Sequence, residues 1–147
     1  TFLRRPTDQP PVRFYERLEP AVFVLRLVPG MRADIIPLLA PHYRALVLES
    51  FGVGGLPGGE HGEMFAALRR WCESGRLAVF TTQVPHEGCD LAVYEVGRAV
   101  GELPGVLEAR DMTPEAVAVK LMWALGQTED REKAARLFET PIEYDIM

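Results

Sequence analysis

At 147 residues and 16.4 kDa the chain is long enough for one ordinary domain with a real core and too short for two comfortable ones. Hydrophobic residues make up 48% and charged residues 25%, the mix of a soluble globular protein rather than a disordered one. A formal net charge of -5 and a pI near 5.2 set the surface against phosphate backbones, and no Lys/Arg cluster with interleaved aromatics offsets this, so nucleic acid is not an expected partner.

Residues 1–20 are rich in Pro and Arg, and Pro6, Pro10, Pro11 and Pro20 break any helical pattern. They read as an interdomain linker or extended arm, and Phe14, Tyr15 and Leu18 suggest that it lies against something. The chain starts at Thr1 rather than Met, and the expectation is a trimmed or excised piece of a longer polypeptide. A single α/β domain is expected over residues 21–147. It opens with Val22-Phe23-Val24-Leu25-Arg26-Leu27, a β-branched and apolar run that Pro29-Gly30 stops, as for a buried strand.

Asp34 then precedes Ile35-Ile36 and Leu38-Leu39, a brief helix ended by Pro41. Ala45-Leu46-Val47-Leu48 is a second strand, closed by the glycine-rich stretch from Gly52 to Gly59. Met64, Leu68 and Trp71 follow the i, i+4, i+7 spacing of an amphipathic helix, with Gly75 placed for a left-handed cap. Leu77-Ala78-Val79-Phe80-Thr81 is a third strand. A short helical pattern around Tyr94 to Val100 precedes a fourth strand at Val106-Leu107-Glu108.

Asp111-Met112-Thr113-Pro114-Glu115 is the cleanest local signal: Thr113 can cap, Pro114 suits the first helical position, and Glu115 sits at the positive end of the dipole. Leu121, Met122 and Leu125 give that helix its buried face, with Gly126 as its expected stop. A last helix from about Asp130 to Glu139 buries Ala134, Ala135, Leu137 or Phe138. Nearly all-apolar strands alternating with helices predict a three-layer α/β/α domain, flavodoxin- or Rossmann-like, with about four parallel strands. Ligands approach such sheets at the carboxyl ends of the strands, which singles out the loops 51–59 and 82–90.

Neither loop carries a self-contained reaction centre. Gly52-x-Gly54-x-x-Pro57 breaks the dinucleotide fingerprint, and no lysine completes a P-loop. Ser50 and Ser74 lie outside any nucleophile elbow, and His42, His61 and His86 stand far apart without metal-ligand spacing. Cys89 beside His86 is weighed as a thiol and base, with an inert loop cysteine the favoured reading. Glu95 and Arg98 are spaced to pair at i, i+3. Cys72 and Cys89 are too few for a disulfide scaffold, which points to a reducing cytoplasm. No apolar run reaches the roughly 20 residues of a membrane-spanning helix. No catalytic residue, metal ligand or cofactor site is expected within these residues.

Four segments in order resemble the L-asparaginase family, specifically its C-terminal domain. They are Leu27-Val28-Pro29-Gly30-Met31, Glu49-Ser50-Phe51-Gly52-Val53-Gly54-Gly55-Leu56-Pro57, Thr81-Thr82-Gln83 through Tyr94-Glu95-Val96-Gly97-Arg98, and Gly105 through Ala116 running on to Gly126. The first and last look more like the bacterial cytoplasmic type than the periplasmic one. The resemblance implies hydrolysis of L-asparagine to aspartate and ammonia by threonines of an N-terminal domain. Their Thr-Gly-Gly-Thr and Thr-Asp-Thr motifs do not occur here, so this chain alone is expected to be inactive.

The C-terminal domain is implied to serve assembly of a homo-oligomer and to close a partner subunit's active site. Gly54, Gly55, Thr82 and Gln83 are the substrate- or effector-binding positions carried over by the resemblance. Gly55 stands where relatives often have Asn. Glu49 and Val84 stand where the allosterically regulated type has Arg and Cys. A glutamate there repels a ligand's carboxylate rather than clamping it, which argues against activation by a second asparagine. The same resemblance admits a tRNA-linked amidotransferase subunit. A free-standing module that binds a small molecule without catalysis is the alternative of a different class.

Overall fold

The computed structural model describes residues 12–59, 61–84, 86–93, 95–142, 145 and 146. Pro6, Pro10, Pro11 and Tyr94, named above, fall outside them. Four strands, β1 (Val22–Arg26), β2 (Ala45–Ser50), β3 (Leu77–Thr82) and β4 (Val106–Glu108), form one sheet in the order 1-2-3-4, every pair parallel. Between them run α1 (Ile35–Leu39), α2 (Glu63–Glu73) and α3 (Glu95–Gly101). The helices α4 (Pro114–Gln127) and α5 (Arg131–Glu139) follow.

Strand side chains alternate between two faces, and both faces of the central strands β2 and β3 are buried. Leu46, Leu48, Ala78 and Phe80 pack with Ile36 of α1, Met64, Leu68 and Trp71 of α2 and Val100 of α3. Ala45, Val47, Leu77 and Val79 pack with Val117, Leu121 and Leu125 of α4 and Phe138 of α5. This is the three-layer α/β/α arrangement that apolar parallel strands require. With α1, α2 and α3 on one face and no strand out of order, the three crossovers share one hand, as the twist of the sheet demands. The order never reverses, so the sheet has no switch point of the kind that opens a ligand crevice in doubly wound folds.

The capping chemistry is local. Thr113 Oγ1 accepts from the Ala116 amide at 3.4 Å with Pro114 in the first turn, and Asp130 accepts from the Lys133 amide at 2.8 Å to start α5. Gly75, at φ 86°, closes α2 by donating to the Cys72 carbonyl. One expectation is corrected: Gly126 does not stop α4, which runs to Gln127 with Thr128 as its cap. Asp34, ahead of α1, pairs with Arg32 at 2.8 Å and makes no side-chain cap bond. In α5 the buried residues are Ala134 and Phe138.

The segment ahead of β1 lies on α4. The Glu19 amide donates to the Met122 carbonyl at 2.9 Å, and the Tyr15 ring meets Trp123 edge-on with centroids 5.2 Å apart. After α5 the chain folds back, and Lys120 of α4, nearly buried, holds it by an ion pair to Asp145 at 2.8 Å and a hydrogen bond to the Thr140 carbonyl at 3.0 Å.

Candidate functional site

The carboxyl ends of β1, β2 and β3 open into loops that are laced to one another. Behind β2, a tight turn joins Phe51 and Gly55 by a two-way backbone bridge, with Gly55 N donating to Phe51 O at 2.9 Å. Gly54 is buried in that turn at φ 154°, and a Cβ there would stand 2.8 Å from Leu91 Cδ2. The positive φ favours glycine at that position, and any larger residue would also have to displace the end of the Leu91 side chain. The Val53 carbonyl then accepts from the Asp90 amide at 3.0 Å and from the Cys89 thiol at 3.5 Å. The two loops singled out from the sequence are therefore one structural unit.

Thr82 and Gln83 are the fasteners of that unit. The Thr82 hydroxyl donates to the Gly52 carbonyl and accepts from the Val84 amide at 3.0 Å. Gln83 Nε2 donates to the Leu27 and Glu49 carbonyls at 2.7 and 2.8 Å, tying β1 to β2 just where their ladder ends. Gly54, Gly55, Thr82 and Gln83 are thus brought to one edge. The donors of both side chains are spent inside the protein, on carbonyls that parallel strands leave open at their ends.

On the α4 face of the same edge, Arg26, Glu49, Gln83, Val84, Glu87 and Asp111 are among the residues around a cleft of about 380 Å³, beside the start of α4. Glu49 and Arg26 occupy one register position on neighbouring strands and form an ion pair at 3.6 Å, the carboxylate largely shielded and the guanidinium mostly exposed. Across from Glu49 on β3 is Thr81, fully buried, whose hydroxyl has no hydrogen-bond partner. Thr81 shares its sheet face with Leu77 and Val79. Its place in the sequence, a hydroxyl closing the continuous apolar run Leu77-Ala78-Val79-Phe80, is the signal that marks it.

The other chemistry considered from the sequence is not assembled. The Cys89 thiol is pushed up to about 12 by burial first, and then by Glu108 and Asp90, and its hydrogen bond goes to the Val53 carbonyl rather than to His86. Burial likewise raises Cys72 to about 11. Neither is a thiolate near neutrality. Glu95 and Arg98 do not pair; Arg98 Nε donates to the Ala92 carbonyl at 2.9 Å instead. His42 follows α1, His61 precedes α2 and His86 lies beyond β3. Among the described residues no group of three His, Cys, Asp or Glu side chains is placed to hold a metal ion.

A parallel α/β/α domain, its carboxyl-edge loops fastened together around glycines, is the class that fold and site define. The family model described as the Glutaminase/Asparaginase C-terminal domain matches residues 21–138, and the chain belongs to that family. It is 38% identical over 133 residues, 90% of its length, to an L-asparaginase from Thermococcus kodakarensis. The solved structure of the L-asparaginase from that organism superposes with a TM-score of 0.81. L-asparaginase I from Vibrio cholerae superposes with a TM-score of 0.77 at 28% identity over 88% of the chain. A glutamyl-tRNA(Gln) amidotransferase subunit from Metallosphaera sedula is 35% identical over 130 residues, 88% of the chain. The chain spans only 40% of the Thermococcus sequence, 38% of the Vibrio chain and 28% of the Metallosphaera sequence.

Proposed function

We propose that this chain is the C-terminal domain of an L-asparaginase-type amidohydrolase, which converts L-asparagine to L-aspartate and ammonia. One observation carries the reading: identity of 38% sustained over 90% of the chain with an L-asparaginase. The resemblance to asparaginases implies a threonine nucleophile in the N-terminal domain; within this chain the two thiols are buried and protonated, and no Thr-Gly-Gly-Thr or Thr-Asp-Thr motif occurs. The domain works by assembly into a homo-oligomer and by closing the active site of a partner subunit. The edge bearing Gly54, Gly55, Thr82 and Gln83 faces that site. Residues 1–20 are the connection to the catalytic domain, and residues 21–147 are the domain itself. The cytoplasm is the proposed compartment, in keeping with two free, buried cysteines and with no helix, among the described residues, long and apolar enough to cross a membrane.

Glu49 at the cleft, ion-paired with Arg26, argues against activation by a second asparagine, because Glu49 replaces an arginine that would clamp the ligand's carboxylate. The second reading is an amidotransferase component of the same family, favoured by identity of 35% to such a protein. Ammonia release from L-asparagine separates the readings. The purified chain alone is expected to release none above the uncatalysed background. A chimera in which it replaces the matching domain of the Thermococcus enzyme is expected to release ammonia. A folded, assembled chimera without activity refutes the asparaginase reading.

A further inference from the structure

Gly126 sits within α4 at a helical φ, one residue before the helix ends, where its conformational freedom is not used. Glycine is among the poorest helix formers, so its presence calls for a reason of another kind. A Cβ at position 126 would stand 2.5 Å from the Arg17 carbonyl oxygen, 2.8 Å from its carbonyl carbon and 3.0 Å from Leu18 Cα. These are backbone atoms, which cannot rotate out of the way as a side chain could.

The polar groups around this approach are matched. Gln127 Nε2 donates to the Arg17 carbonyl at 2.9 Å and to the Trp123 carbonyl at 2.9 Å, so one amide bridges arm and helix. One turn back, the Met122 carbonyl receives the Glu19 amide at 2.9 Å, and Trp123 takes the edge of Tyr15. The Glu19 carboxylate then accepts from the Ala21 amide at 3.0 Å and from Arg44 at 3.0 Å, and Arg44 reaches on to Glu129 at 2.9 Å. The backbone just before β1 is thereby held from two sides.

We propose that residues 15–19 and α4 form a rigid joint, in which Gly126 is the notch that admits the arm's backbone and Gln127 is its clasp. The segment ahead of β1 leaves the domain in a set direction, and Gly126 is the positioning residue for whatever that segment connects. The joint does not depend on the reaction proposed above.

Hydrogen exchange on the full chain tests it. The Glu19 amide, protected in the wild type, is expected to exchange at least tenfold faster in Gly126→Ala, and trypsin is expected to cut after Arg17 correspondingly faster. Amides of β2 and β3 are expected to keep their wild-type rates, which a general loss of stability would not allow. An unchanged Glu19 rate in a folded Gly126→Ala chain overturns the proposal. Should the sheet amides also lose protection in that variant, Gln127→Ala decides, because it deletes the clasp and adds no atoms. Several-fold faster exchange at Glu19 then supports the joint, and a wild-type rate refutes it.

Discussion

Thr81 and Cys89 carry opposite kinds of buried polarity. The Thr81 hydroxyl is sealed from solvent without a partner, an arrangement that costs about 1–3 kcal/mol relative to a satisfied or absent group. Valine has nearly the same shape and no hydroxyl. Thr81→Val is therefore expected to raise stability by about 1 kcal/mol, read as a higher urea midpoint at an unchanged slope. A lower midpoint would mean that the hydroxyl is satisfied after all. Cys89 has a partner, and what burial denies it is ionisation. Its folded value, about 12, lies above the ordinary 9.0, so above pH 9 the unfolded chain loses the proton while the folded chain keeps it. The unfolded state then binds fewer protons, and stability falls as pH rises. Cys89→Ala removes that share of the slope, so the decline between pH 9 and 11 is expected to be shallower in the variant. Equal slopes in the two proteins would place the thiol in water.

Among the elements, α4 organises the most. It covers β1, β2 and β3, takes the arm on one side and holds the folded-back tail through Lys120. The Lys120 ammonium is satisfied by Asp145, by the Thr140 carbonyl and by the Phe138 ring, 5.7 Å below it. Lys120→Met keeps the length of the side chain and deletes the charge. A loss of about 2 kcal/mol is expected in chemical denaturation, below the range for a fully buried pair because Asp145 is partly exposed and can rehydrate. Exchange of the Thr140, Ile142 and Asp145 amides should rise with it, and unchanged rates there would remove Lys120 from this role.

The elements themselves were legible because their signals are local. Thr113-Pro114-Glu115 starts α4, Gly75 ends α2, and even the three-residue β4 lies where Val106-Leu107-Glu108 indicates. Gly126 was misread because a glycine near a helix end looks like a stop, whereas the backbone it admits is more than a hundred residues away. The candidate edge was legible as a place and not as a wiring. The family resemblance nominates Thr82 and Gln83, but only the fold reveals that their donors serve Gly52, Leu27 and Glu49.

At the scale of the whole molecule, the domain is well closed on its two sheet faces and open along the β1 edge. Among the described residues β1 pairs with β2 alone, and Val24 in its centre is 41% exposed although the strand is apolar but for Arg26 at its end. An open strand edge pairs readily with another chain unless something blocks it, and none of the described side chains at the centre of β1 is charged. Concentration-dependent self-association is the expected behaviour of the isolated chain. Sedimentation velocity should show the weight-average mass rising above the monomer's as concentration increases. Val24→Lys places a charge at the middle of the edge strand, on a side chain that is already partly exposed, and disfavours strand pairing there. That variant is expected to sediment closer to the monomer at every concentration. A wild-type chain that stays monomeric throughout would show that β1 is not an assembly edge, and would shift the search for the oligomer contact to the carboxyl-edge loops.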